Sequence, residues 1–122
     1  MNNEFHKRIR SFGYAFNGFK WAFKTQKNLQ IHVIALILVV ILGIFFNVNI
    51  SEWIVLFICF ALVISAEFFN TALEKLTDII SPEYNEQAGK VKDVAAAAVL
   101  FSALISVICG LIIFVPKILQ LL

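Results

Sequence analysis

Hydrophobic residues near the start of the chain recur every three or four positions from residue 4 to residue 28, which predicts an amphipathic helix. The apolar stripe comprises Phe5, Ile9, Phe12, Phe16, Phe19 and Phe23. Lysine and arginine supply the polar side against one acid, at Lys7, Arg8, Arg10, Lys20, Lys24 and Lys27. A basic helix of this kind lies in a membrane interface. The alternative is a soluble helix packed on a core, but no soluble core follows in the sequence.

Three apolar runs then occur at residues 29–46, 53–80 and 94–115, and they predict membrane-spanning helices. Polar residues at 47–49 form a turn, after which Ser51 or Asn49 can cap the second helix. Pro82 ends the second run and Pro116 closes the third, because proline disfavours helix in the residue before it. The prediction is therefore an all-α membrane protein of one domain, residues 1–122, with a surface helix and three spans.

Composition agrees with this class, since 61% of the 122 residues are hydrophobic and the mean hydropathy is +0.88. Six of the ten lysines and arginines precede the first span, and three more lie at or after the end of the second. This asymmetry predicts a cytoplasmic N-terminus and a cytoplasmic loop at 83–92 in the inner, or plasma, membrane. The net charge of +2 gives no indication of nucleic-acid binding, and none is expected.

A polar stripe lies at the end of the second span. Glu67, Asn70, Glu74 and Asp78 follow at intervals of three, four and four residues, so they share one narrow helical face. The stripe is about 16 Å long at about 1.5 Å per residue. Ionisable residues in a membrane helix usually mark function. The alternative is that these acids only pair with lysines between helices.

Carboxylates and lysines at a cytoplasmic interface suit phosphoryl transfer. Mg²⁺ is commonly held by one or two carboxylates plus phosphate oxygens, and Lys90 and Lys92 offer positive charge for a nucleotide. Glu67 lies deepest in the span and is the candidate base for an alcohol acceptor. A transporter with Glu67 and Asp78 as an ion relay is the competing hypothesis. It would need ionisable groups on both sides of the membrane, whereas these cluster at one side.

Three motifs at these positions carry a family resemblance: ExxNTALExxxD, SPEY and KxKDxAAAAV. With the GYAFNGFKWAFKT helix, the chain resembles the prokaryotic diacylglycerol kinase family of small membrane lipid kinases, which includes undecaprenol kinases. The resemblance covers nearly the whole chain. It implies a homotrimer whose active sites are shared between subunits at the cytoplasmic interface. It also implies transfer of the γ-phosphate of Mg-ATP to a lipid hydroxyl, of undecaprenol or diacylglycerol.

The resemblance also assigns roles to residues of this sequence. The base is Glu67 and a metal ligand is Glu74, with Asn70 and Asp78 supporting the nucleotide site. Further nucleotide contacts are expected at Lys7, Tyr14, Glu83, Tyr84, Asn85, Lys92 and Asp93.

Gln26 departs from the family pattern, which has a second metal-binding glutamate after the surface helix. A neutral amide binds Mg²⁺ more weakly than a carboxylate, so Glu74 and the phosphates suffice, another acid substitutes, or the protein is a catalytically weak member. Lys7, often arginine in the family, keeps the charge without the planar fork. His32 is a ligand or an interfacial residue near headgroups or a neighbouring helix. His32 and SPEY resemble the undecaprenol-kinase branch, although composition cannot separate the two substrates.

Overall fold

The structure is a computed structural model that describes residues 2–122. It contains four helices, α1 Asn2–Thr25, α2 Lys27–Phe45, α3 Ile50–Ile80 and α4 Glu86–Leu121. No strand occurs in this described range. The last three helices are long and apolar enough to cross a membrane. The predicted all-α membrane class is thereby confirmed.

The α1 helix leaves its phenylalanine stripe uncovered over most of its length, with Phe12 79% and Phe16 71% exposed. An interfacial helix buries such a face in lipid. The approach to α3 occurs in the second half of α1, where Ala15 and Gly18 share a cavity with Thr71 and the ring of Phe19 lies 5.5 Å from that of Phe68. The helix stops at Thr25, earlier than the expected residue 28, because Gln26 is extended, with φ −101° and ψ 107°.

The turn between α2 and α3 is fixed by its asparagines. Asn47 adopts a left-handed conformation, with φ of 50°. The Asn49 side chain accepts a hydrogen bond from the Glu52 N–H, and the Glu52 carboxylate accepts one from the Asn49 N–H, both at 2.9 Å. This reciprocal cap explains why α3 starts at Ile50 rather than at residue 53.

The α4 helix begins at Glu86, whereas the expected span begins at residue 94, and it continues through Pro116 to Leu121. Asn85 caps it by accepting hydrogen bonds from two N–H groups of the first turn. Pro116 therefore does not close the helix. Membrane helices tolerate proline because local adjustment can satisfy the freed carbonyl.

Helices α3 and α4 form a close hairpin, and α2 packs on α3 more sparsely. Small residues of α4 contribute to this contact, since Ser102, Ser106 and Gly110 are all half-buried. The Ser106 Oγ lies 2.8 Å from the Ser102 carbonyl and 3.5 Å from the Cys59 carbonyl on α3.

Ion pairs join both ends of the α3–α4 hairpin. Asp78 pairs with Lys92 at the end that carries the polar stripe. Glu52 pairs with Lys117 at the other end, with 3.2 Å between the oxygen and the nitrogen. The two pairs fix the relative register of the helices, and this register sets where the residues of α4 lie along the stripe.

Candidate active site

The polar stripe of α3 runs from a buried end to an accessible end. Glu67 is 2% exposed and Asn70 is 5% exposed, whereas Glu74 is half-buried. The Asn70 side-chain amide donates a hydrogen bond to Glu74 Oε1 at 3.3 Å. The three side chains therefore share one face, as the spacing predicted, and two of them are in direct contact.

Two buried oxygen atoms of the stripe are left without a partner. Glu67 Oε2 and Asn70 Oδ1 have no hydrogen-bond partner within residues 2–122. A buried polar atom without a partner costs about 1–3 kcal/mol, so such atoms usually have a functional reason or an additional partner. Both atoms are acceptors in this setting. The arrangement therefore suits a ligand that brings a hydroxyl proton, an amine or a cation.

His32 of α2 lies near the deep end of the stripe, close to Glu67. His32 also lines a cavity together with Val63 and Ile64, the residues that precede Glu67 on α3. Nothing in the sequence around His32 predicted that it lies close to Glu67. The available signal was its position near the start of the first span, at the same membrane side as the stripe.

Lys92 is brought to the outer end of the stripe by its ion pair with Asp78. Both side chains remain substantially accessible, at 40% and 59%. The remaining residues expected near the nucleotide on this side, Glu83, Tyr84 and Asp93, are exposed. Asn85 has a structural task, since its Oδ1 accepts the capping hydrogen bonds of α4. Its side-chain NH₂ group is the part left to contact a ligand.

The two expected contacts on α1 make no hydrogen bond or ion pair with the stripe within the described residues. Lys7 is exposed and pairs with Glu4 at 3.3 Å, and Tyr14 is 71% exposed. The approach of α1 to α3 occurs nearer the end of α1, where the Lys75 ammonium lies 5.4 Å from the centre of the Trp21 ring. Among the described residues, side-chain contacts therefore join the α3 and α4 parts of the expected site but not Lys7 or Tyr14.

Gln26 lies at the junction of α1 and α2. It is half-buried, and its side-chain NH₂ donates to Thr25 Oγ1 at 3.1 Å. Gln30, which sequence reasoning missed, stabilises this junction by donating a hydrogen bond to the carbonyl of Phe23 at 3.0 Å.

No cluster of three or more histidine, cysteine or acidic residues occurs in the described part of the chain. Mg²⁺ commonly takes only one or two protein carboxylates beside phosphate oxygens, so Glu74 and the orphaned Asn70 oxygen fit such an ion.

Comparison with known proteins gives a consistent picture. A family model described as prokaryotic diacylglycerol kinase matches residues 13–114. An undecaprenol kinase of Bacillus subtilis is 37% identical over 115 residues, which cover 94% of each chain. A diacylglycerol kinase of Synechocystis is 37% identical over 91% of this chain and 64% of its own length. A diacylglycerol kinase of Escherichia coli is 30% identical over 85% of each chain.

Proposed function

Because the chain belongs to the prokaryotic diacylglycerol kinase family and is a lipid kinase of the membrane, we propose that it transfers the γ-phosphate of ATP to the hydroxyl of a lipid alcohol. Undecaprenol and diacylglycerol are the candidate acceptors, as in the relatives it resembles. The observation that carries the proposal is the stripe itself. A buried carboxylate oxygen without a partner lies at its deep end, and lysine and carboxylate groups lie at its accessible end.

Glu67 is the proposed base. The hydroxyl of a lipid alcohol stays near the interface while its chain extends into the bilayer, so it reaches a carboxylate at this depth. The unpaired Oε2 can accept the hydroxyl proton as the lipid oxygen attacks the γ-phosphorus, while the bond from this phosphorus to the β,γ-bridging oxygen breaks and ADP leaves. Burial of Glu67 keeps water away from this step, which favours the lipid as acceptor over hydrolysis.

Glu74 is the proposed ligand for Mg²⁺, with Asn70 beside it. Bound Mg²⁺ would neutralise charge on the phosphate oxygens. Lys92, and Lys7 from the basic α1 helix, supply further positive charge for the nucleotide. Gln26 is proposed at the second metal position, where an amide binds less strongly than a carboxylate.

We further propose a cytoplasmic N-terminus, an inner-membrane location and a homotrimer with shared sites. The lysine and arginine asymmetry supports the orientation. The exposure of Tyr14 and Lys7, neither of which contacts the stripe through a hydrogen bond or ion pair in the described residues, supports a site completed by a neighbour. A bundle of three spans is also too thin to enclose ATP, metal and a lipid headgroup.

Subunit mixing tests the shared site. Inactive Tyr14→Ala and Glu74→Gln subunits should regain activity when mixed, and fully mixed oligomers without activity would argue for self-contained subunits.

The direct test is transfer of labelled γ-phosphate from Mg-ATP to undecaprenol or diacylglycerol by the purified protein in lipid nanodiscs. We expect a phosphorylated lipid with at least one acceptor, and product formed about 10²–10⁴-fold more slowly by the Glu67→Gln variant. Ion flux in liposomes without phosphate transfer would instead support the ion-relay alternative. Absence of transfer to both lipids would contradict the proposal.

A further inference from the structure

The two cysteines of the chain lie on neighbouring membrane helices, outside the proposed reaction centre. Cys59 on α3 is 6% exposed, Cys109 on α4 is half-buried, and both are free thiols. Cys59 precedes Glu67 by eight residues, which is about 12 Å along the helix. Neither thiol therefore has a part in the proposed phosphate transfer.

The ion pairs of the α3–α4 hairpin determine which residue of α4 lies opposite Cys59. Glu52 lies opposite Lys117. Seven residues further along α3 is Cys59, and seven residues back along α4 is Gly110, the neighbour of Cys109. The ion pair at the stripe end of the hairpin gives the same position to within one residue. The two cysteines therefore differ in height by about 1.5–3 Å, at about 1.5 Å per residue.

Cys109 also lies on the face of α4 that contacts α3. Ser106 precedes it by three residues, a spacing that places both side chains on one helical face. The Ser106 Oγ lies 3.5 Å from the carbonyl oxygen of Cys59. The side chains of Ser106 and Cys109 both interact with the Cys59 thiol. The two thiols are therefore neighbours across the hairpin.

The distance between the helices suits a disulfide. Packed helices have axes about 8–10 Å apart, and their Cα atoms lie about 2.3 Å from each axis. With the height difference of Cys59 and Cys109, their Cα atoms come within about 3.7–6.2 Å of each other. Disulfides span about 4.4–6.8 Å between Cα atoms. The two thiols can therefore be joined without separating or sliding the helices.

The surroundings of Cys59 select the kind of oxidant. This residue lines a partly open apolar cavity between α2, α3 and α4, together with Val39 and Phe60. A charged, water-soluble disulfide such as oxidised glutathione is excluded from such a site, because burial of its unpaired charges is costly. A neutral apolar oxidant meets no such barrier. Quinones are two-electron oxidants of this kind that dissolve in bilayers.

We propose that Cys59 and Cys109 form a redox-active thiol pair, which a membrane quinone oxidises to a disulfide that joins α3 to α4. One S–S bond forms and two S–H bonds break, while two electrons and two protons convert the quinone to a hydroquinone. Because each proton leaves with an electron, the reaction creates no net charge in the apolar medium. The disulfide also restricts the unfolded chain between the two positions, which stabilises the hairpin. This inference is independent of the proposed kinase function.

Oxidation of the reduced wild-type protein in nanodiscs, with oxygen excluded, tests the proposal. The probe is tetramethyl-1,4-benzoquinone, whose ring has no free position for addition of a thiol. We expect loss of both thiols, a mass decrease of two hydrogens and one hydroquinone per disulfide. Peptide mapping should find Cys59 linked to Cys109 within one subunit. The unfolding temperature should rise on oxidation and return to its initial value with dithiothreitol.

A matched variant moves one thiol without changing its height. Cys109→Ala combined with Ile108→Cys places the second thiol one residue away, about 100° around α4, at a position that is 52% exposed. Its quinone-dependent disulfide formation should be at least about tenfold slower, because the two sulfurs are no longer held together. Equal rates in the reduced, folded variant and the wild type would overturn the proposal. The unfolding temperature of the reduced proteins shows that both are folded.

Two other reagents separate the remaining outcomes. A stoichiometric amount of iodine, which is also neutral and apolar, should form the same disulfide, and its failure would show that the sulfurs do not come within bonding reach. A disulfide formed with iodine but not with the quinone would contradict the redox assignment. Oxidation by glutathione disulfide as fast as by the quinone would contradict the selection of an apolar oxidant. Disulfides between subunits instead of within one would contradict the pairing itself.

Discussion

Replacement of Glu67 by glutamine tests the base without changing the shape of the side chain. The carboxylate is 2% exposed, and its Oε2 has no partner within residues 2–122, so the substitution breaks no identified hydrogen bond of that oxygen. The variant keeps an oxygen acceptor but loses the group that takes a proton. General-base catalysis contributes about 10²–10⁴-fold, which corresponds to about 2.7–5.5 kcal/mol in the activation free energy. We expect kcat to fall by this range.

The assay separates chemistry from binding. Initial rates with varied ATP and varied lipid should show a lower kcat and a nearly unchanged KM for ATP, because a base acts in the transition state. Glu52→Gln is the matched control, since it makes the same change on the same helix at the opposite end. Glutamine can also preserve the reciprocal cap with Asn49. A Glu67→Gln variant with normal kcat and weakened ATP binding would refute the assignment.

Three further predictions concern the metal site and the helix packing. Glu74→Gln should abolish activity with the oligomer intact, and near-normal turnover at saturating Mg²⁺ would rule out its role as a metal ligand. Gln26→Glu should lower the Mg²⁺ concentration for half-maximal activity and raise turnover, because it adds a carboxylate; identical Mg²⁺ titration curves would place this residue outside the metal shell. Gly43→Ala should destabilise the fold by about 1–3 kcal/mol, since its Cβ would overlap the Trp53 ring. Gly110→Ala is the control in thermal unfolding, and equal stability of the two variants would contradict this reasoning.

The helices and the polar stripe follow from sequence for one physical reason. A membrane-spanning segment must satisfy its own backbone, so an apolar run of sufficient length predicts a helix. Once Glu67, Asn70 and Glu74 lie on one helix, their shared face depends only on helical periodicity. Helix ends are less predictable because side chains decide them locally. Asn85 accepts hydrogen bonds from N–H groups in the first turn of α4. The polar residues 86–92, which the sequence predicted to be part of a loop, therefore form the first two turns of this helix.

Contacts between helices could not be read from the sequence. The nearness of His32 to Glu67 depends on how α2 is rotated and placed against α3, and no periodicity of either helix specifies that rotation. The pair of Glu52 and Lys117 likewise requires α4 to continue beyond Pro116, whereas proline in the sequence predicted an end. The cavity exists for the same reason, since α2 packs on α3 only sparsely.

Hydrogen-bond partners distinguish structural polar residues of α3 from functional ones. At the start of the helix, the Glu52 side chain is occupied by the cap and by Lys117. Near the other end, the buried Thr77 hydroxyl donates to the Leu73 carbonyl at 2.6 Å. Such groups lower the cost of folding in an apolar medium.

The two orphaned buried atoms lie between these satisfied groups, on Glu67 and Asn70. Folding gains nothing from leaving them unpaired, and leucine or alanine at either position would suit a purely structural membrane helix better. Their retention is explained when a ligand supplies the missing partner. Because Glu67 Oε2 is an acceptor near an apolar cavity, its ligand should present a hydroxyl at the end of a hydrocarbon chain, whereas Asn70 Oδ1 lies beside Glu74 and suits the proposed Mg²⁺. Alanine at Glu67 should therefore abolish phosphate transfer while leaving the unfolding temperature unchanged or higher, and a large loss of stability would show that the carboxylate serves the fold.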